Sequence, residues 1–182
     1  MEAVIFYSAF AGATISVFSL TRFAVSLRHK LRGRTISEVA TLEQRSLSQF
    51  RLILLLCGIL FAVTLFGFIV PNTPNKLLVF VASVAIIGGE LLAGIIPAHK
   101  STVKIHEALA GIMGLGMLAF PYIFWGDLTG MFKGLEAFLA IAMTLAVILM
   151  FTDRSKKLFV TYELSFIFAS HISIVLAALA LR

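Results

Sequence analysis

Apolar residues run along this chain in six long blocks, at roughly 3–27, 52–70, 77–97, 106–125, 132–152 and 158–181. Each is close to the roughly 20 residues of helix that cross a bilayer core. Four of the interruptions are short and polar: PNTPNK at 71–76, HKSTVK at 99–104, WGDLTG at 125–130 and TDRSKK at 152–157. Only the segment from Arg28 to Arg51 is long. The pattern predicts an all-α polytopic membrane protein: a bundle of six transmembrane helices forming a single domain over 1–182, with a short cytoplasmic interfacial helix.

That helix is expected in the long connection. Thr35–Glu38 reads TISE, a capping box in which Thr35 caps the backbone and Glu38 reaches back. Ile36, Val39, Leu42, Leu47 and Phe50 follow at mostly helical spacing with charged residues between them. An amphipathic helix lying along the interface and leading into the second span is the expected form.

Composition agrees with the blocks. Of the 182 residues 60% are hydrophobic and 13% charged, against about half and about a quarter in a soluble domain. A core of this size cannot hide that excess, so lipid must take part of it. The net charge of +6 would suit nucleic acid, but its placement fits membrane topology better. Arg22, Arg28, Lys30, Arg32, Arg34, Arg45, Arg51, Lys100, Lys104, Arg154, Lys156 and Lys157 fall on or beside the first, third and fifth connections, against only Lys76, Lys133 and Arg182 on the other side. The bias places those three connections in the cytoplasm and both termini outside. The start is not expected to be a signal peptide, because Glu2 stands where a basic region should be and no small-residue cleavage site follows. The single cysteine, Cys57, excludes an intrachain disulfide and reads as a small core residue.

Ionisable groups inside a membrane are costly and normally face a bundle interior or a wet cavity. Glu90, Glu107, Glu136 and Glu163 lie in or at the edge of blocks, as do His99, His106 and His171. Glu90 precedes Pro97 by seven residues, about 10 Å at the helical rise. Glu163 enters the last span from the same side. Glu90, His99, His106, Glu107, Glu163 and His171 therefore converge on the cytoplasmic half, and Glu136 lies towards the outer one.

Imidazole and carboxylate together bind zinc or iron, or pass protons. His99, His106, Glu90 and Glu163 are the metal candidates, with the capacity to activate water. The competing structural reading has His106 and Glu107 finishing the fourth helix at lipid headgroups, and Glu90 and Glu163 fixing helix packing. No HExxH pair lies on one helical face. Haem ligation by His171 and His106 is disfavoured by their unequal depth. Ser37, Ser101, Ser170 and Thr161 supply hydroxyls, but no GxSxG elbow does. No cofactor is assigned.

Gly88, Gly89, Ala93 and Gly94 line the third span, and Ala110, Gly111, Gly114 and Gly116 the fourth. Small residues four apart let helices approach closely, so a tight antiparallel hairpin with PAHKST at its tip is expected. Trp125 and Tyr122 suit an outer aromatic belt, and Pro121 should bend the end of that helix.

The order of ISE (Ile36–Glu38), PAH (Pro97–His99) and IHEALAG (Ile105–Gly111) resembles an uncharacterised six-span prokaryotic membrane family catalogued as a domain of unknown function. Its members carry a similar Ile-Ser-Glu segment, a Pro followed by a polar residue, and a His opening the next helix; here His99 stands where an acidic residue is usual. The resemblance spans nearly the whole chain. It implies a prokaryotic inner or plasma membrane and one cytoplasmic-side cluster of Ser37, Glu38, His99 and His106, and carries no activity with it.

Three classes of function follow. The leading one is a non-catalytic membrane subunit or lipid-interacting protein, with membrane lipids as partners and other membrane subunits or a second copy as further ones; nucleic acid is not expected. The second is an intramembrane enzyme acting on a lipid-like substrate from the cytoplasmic leaflet through the Glu/His cluster, Ser37, Glu38, Glu90, His99, His106, Glu107, Glu163 and His171. The third is a small six-helix transporter or substrate-binding component, against which stands the lack of an internal repeat.

Overall fold

A computed structural model describes residues 2–27, 29–30, 34–126, 128–153 and 157–182. Arg28, Arg32, Arg154 and Lys156, four of the basic residues behind the expected orientation, lie outside the described residues. The described chain is helical: α1 Glu2–Ser26, α2 Ile36–Ala40, α3 Gln44–Asn72, α4 Lys76–Ile95, α5 Val103–Trp125, α6 Gly130–Thr152 and α7 Phe159–Ala180. All but α2 are long and apolar enough to cross a membrane, which makes this an integral membrane protein.

The six long helices run alternately up and down. Each packs against its successor, and α7 returns to α1, closing a ring in chain order. Phe61, Leu65, Ile86, Met117, Phe120, Phe124 and Met143 fill the interior. Phe18, Leu77, Phe138 and Phe151 stand exposed on the outside, the reverse of a soluble core and the arrangement that lipid tails satisfy.

Two expectations change in detail. The second span begins at Gln44, not 52, and absorbs the last part of the long connection. Consequently the amphipathic helix is only Ile36–Ala40, ended by a turn at Thr41–Leu42. Leu42 is exposed, and Leu47 and Phe50 belong to α3. Nor does α2 lay its apolar face on lipid. Ile36, Val39 and Ala40 are buried against Leu20, Phe23, Ala24 and Leu27 of the α1 end and Phe50 of α3, because burial between helices also satisfies a helix too short to hold itself. The capping box is formed: the Glu38 N–H donates to Thr35 Oγ1 at 3.1 Å, and the Thr35 N–H to Glu38 Oε2 at 2.7 Å. A Lys30–Glu43 ion pair closes the connection, and hydrogen bonding from the Lys30 ammonium holds the Glu43 carboxyl below the usual carboxylate range.

The α4–α5 hairpin is tight, but only part of the small-residue stripe makes it so. A Cβ on Gly89 would fall 2.6 Å from Met113 Cβ and 2.8 Å from the Leu109 carbonyl oxygen; one on Gly116 would fall 2.9 Å from Ala85 Cβ and 3.0 Å from the Ala82 oxygen. Gly94 instead faces α3, 3.3 Å from Leu54 Cβ, and Gly88, Gly111 and Gly114 have nothing within 4 Å. Pro121 is accommodated within α5, which continues to Trp125. In α3 the backbone widens to a π-turn over Leu65–Ile69, one residue short of Pro71, which cannot donate to a preceding carbonyl.

The end of α4 is held from α3. Arg51 Nε donates to the Gly94 oxygen at 3.0 Å and Nη2 to the Ile95 oxygen at 2.5 Å, satisfying carbonyls that the last helical turn leaves open. Arg51→Ala is expected to cost about 1.5–3 kcal/mol, the range for hydrogen bonds to charged groups, seen as a lower melting temperature in detergent. Arg51→Lys should recover only part, because an ammonium lacks the planar fork that reaches both carbonyls. An unchanged melting curve for Arg51→Ala would show that α4 needs no such clamp.

Candidate functional site

The ring is not filled throughout. At the end that carries α2, an internal cavity of about 70 Å³ is bounded by every helix except α6. At roughly 10–15 Å³ for each water, that space suits a handful of waters or one small polar group. Five of the expected residues line it: Ser37, Glu90, His106, Glu163 and His171. Glu136 does not, so Glu90 and His106 share a site from which Glu136 is separate.

Each side chain is placed by a local device. Glu90 lies on α4 little more than one turn before Ile95, where the Arg51 clamp fixes the helix end. It is 2% exposed, and its Oε2 has no protein partner. His106 sits in the first turn of α5, with Nδ1 2.7 Å from the Ile96 oxygen in the preceding loop. A carbonyl only accepts, so Nδ1 carries the proton, and Nε2 is the nitrogen that a neutral ring offers as acceptor. Glu163, half-buried on α7, accepts the Ile36 N–H on Oε2 at 3.0 Å. It thereby adds a second anchor to the N-terminus of α2 beside the capping box, and keeps Ser37 at the cavity wall. His171 sits deeper on α7, with Nδ1 2.8 Å from Ser16 Oγ and its ring 4.4 Å from that of Phe61; its Nε2 has no protein partner.

Three expected members stay outside. Glu38 is exposed and occupied by the capping box. Glu107 is exposed, one position round the helix from His106. His99 is exposed in the turn after Pro97, where its N–H donates to the Pro97 oxygen at 2.8 Å and its own carbonyl accepts from Thr102 at 2.9 Å. The set His99, His106, Glu90 and Glu163 is therefore not assembled. Among the described residues no three His, Cys, Asp or Glu side chains converge as metal ligands. His106 and His171, expected at unequal depths, do line the same cavity, but its volume leaves no room for a macrocycle between them.

Two further residues with polar or sulfur atoms line the wall, Ser16 of α1 and Cys57 of α3, and the rest of it is apolar. Cys57 is a buried core residue as expected, with Sγ 3.7 Å from the Gly12 oxygen. No signal in the sequence marked Ser16, because α1 also carries Ser8, Ser19 and Ser26 at similar intervals. Glu136 forms a separate buried pair, accepting from the Ser173 hydroxyl between α6 and α7.

Beside the cavity is a second space of different character. Between Ala110–Leu118 of α5 and Val147–Phe151 of α6 an apolar groove of about 410 Å³ runs along the outside of the bundle, with Phe159, Glu163, Phe166 and Ile167 of α7 as its third wall. Farther along, Tyr122 Oη and Thr144 Oγ1, 2.8 Å apart, tie α5 to α6. Cavity and groove share Ala110, Met113, Glu163 and Ile167.

The fold and this site define a polytopic membrane protein with a buried pocket that holds a few polar groups, beside an apolar groove. No protein-family model, curated protein or solved structure matches the chain.

Proposed function

We propose that this chain is a lipid-interacting integral membrane protein that holds an amphiphilic molecule, with the polar end in the Glu90–His106–His171 cavity and the apolar chain in the α5–α6 groove. The observation that carries the reading is the shared wall: a small, largely apolar cavity holding a few buried polar groups, two of them with unpartnered atoms, adjoins an apolar groove of ligand size, typically about 300–1,000 Å³. The groove faces acyl chains by position, so its occupant enters from the bilayer. The placement of basic residues supports a cytoplasmic α2 end and with it a site in the cytoplasmic leaflet, and the resemblance to the six-span family supports a prokaryotic membrane.

The test is to isolate the protein with its surrounding bilayer in polymer-bounded discs and identify retained amphiphiles by mass spectrometry. Wild type should retain one species above the bulk lipid background. Gly114→Leu should lose it, since the new side chain fills a groove in which a Cβ at that position meets nothing within 4 Å. Identical lipid content in the two proteins would sink the proposal.

One observation favours an enzymatic form of the same reading. His106 presents an acceptor Nε2 on the cavity that Glu90 also lines, and a neutral imidazole near a polar head is placed to act as a general base. Turnover of the retained amphiphile by wild type but not by His106→Gln would mark that form.

A further inference from the structure

The kind of head that the cavity selects follows from its polar atoms. Glu90 Oε2 accepts and has no protein partner. His106 Nε2 accepts, because Nδ1 is committed as donor to the Ile96 oxygen. Glu163 keeps Oε1 beyond its bond to the Ile36 N–H. The Ser37 and Ser16 hydroxyls, the Cys57 thiol, the His171 ring and a carboxyl in its acid form can donate, but Ser16 and His171 are engaged with each other and the thiol with the Gly12 oxygen.

Among the described residues that line the cavity there is no lysine or arginine. Arg51, next to the wall residue Phe50, is turned onto the Gly94 and Ile95 carbonyls. A phosphate or carboxylate head would thus meet two carboxyl groups with no counter-charge, and a buried anion without a partner is strongly disfavoured. The volume of about 70 Å³ also favours a head of few atoms.

From these features, and resting on the lipid-binding reading above, we infer that the ligand is a single-chain amphiphile with a small hydrogen-bond-donating head, a long-chain primary alcohol or amine. Its hydroxyl or ammonium donates to Glu90 and His106, and its chain passes Met113 and Ile167 into the α5–α6 groove. Met113 is suited to that position, because an unbranched thioether repacks at little cost.

The experiment measures binding of hexadecanol, hexadecylamine, palmitate and hexadecyl phosphate to the full-length protein in detergent by native mass spectrometry. Hexadecanol or hexadecylamine is expected to bind at least about tenfold more tightly than either anionic probe, a difference of one decade in dissociation constant. If the head is the amine, Glu90→Gln should weaken it by about tenfold or more; if it is the alcohol, the glutamine oxygen still accepts and His106→Leu produces the loss instead. Gly111→Leu and Gly114→Leu should each abolish binding of both probes while melting like wild type. Palmitate or hexadecyl phosphate binding as tightly as the alcohol and amine, still sensitive to Gly114→Leu, would overturn the head-group inference and leave lipid binding standing. Failure of all four probes to bind, or binding indifferent to both leucine variants, would overturn the lipid-binding reading itself.

Discussion

Gly89→Leu is expected to prevent this protein from reaching its folded state, whereas the same replacement at Gly111 is expected to leave it folded. At Gly89 even the first added atom would lie 2.6 Å from Met113 Cβ and 2.8 Å from the Leu109 oxygen, so backbone has to move. Overpacking of this kind typically costs about 1–3 kcal/mol, and more when backbone is the obstacle. Here the two helices would have to separate along the closest contact of the ring, losing the dispersion contacts that drive helix association in lipid. Gly111, on the same helix pair, has nothing within 4 Å of its Cβ position. Size-exclusion chromatography and a thermal melt of both variants in detergent provide the comparison. A monodisperse, normally melting Gly89→Leu protein would mean that the hairpin is looser than these distances state.

Glu163→Ala is the second large effect, and it acts at a distance in sequence. The carboxylate accepts the Ile36 N–H and, with the Thr35–Glu38 capping box, secures a five-residue helix too short to be stable alone. A hydrogen bond to a carboxyl contributes about 0.5–3 kcal/mol, the upper end for the charged form, so amide exchange over 35–40 should quicken by up to roughly a hundredfold. The apolar contacts of Ile36 and Val39 remain, so the helix loosens without detaching. Glu163→Gln should restore part of the protection, because its amide oxygen still accepts. Protection unchanged in Glu163→Ala would show that burial alone holds α2, and that Glu163 serves the cavity and not its cover.

Much of this architecture was legible because a bilayer reduces the problem to one dimension. Backbone groups in lipid must be satisfied within each segment, so length and hydropathy select helices directly, and six apolar blocks became six spans, the second extended at its start from 52 to Gln44 and the others shifted by a few residues. The TISE box was legible because capping is local chemistry between residues three apart. The start of α3 was not: Leu47 and Phe50 read as the end of an interfacial helix, whereas the turn at Thr41–Leu42 separates them from α2 and they are buried as part of the second span.

The site divides the same way. Burial of Glu90 and His171 followed from their place within apolar runs. That Ser37 joins them while Glu38, its neighbour, does not depends on how α2 turns as it docks. His99 and His106 are equally polar on paper, yet one is held out by the turn after Pro97 and the other is drawn in by the Ile96 carbonyl. The sequence alone thus determined the membrane, the number of helices and the half of the protein in which polar groups gather, since each depends on spacing along one strand of chain. Only the tertiary structure decided which glycines touch, which polar groups share a cavity and where the groove opens, because those depend on the rotation of each helix about its axis, and that rotation is fixed by side chains distant in sequence.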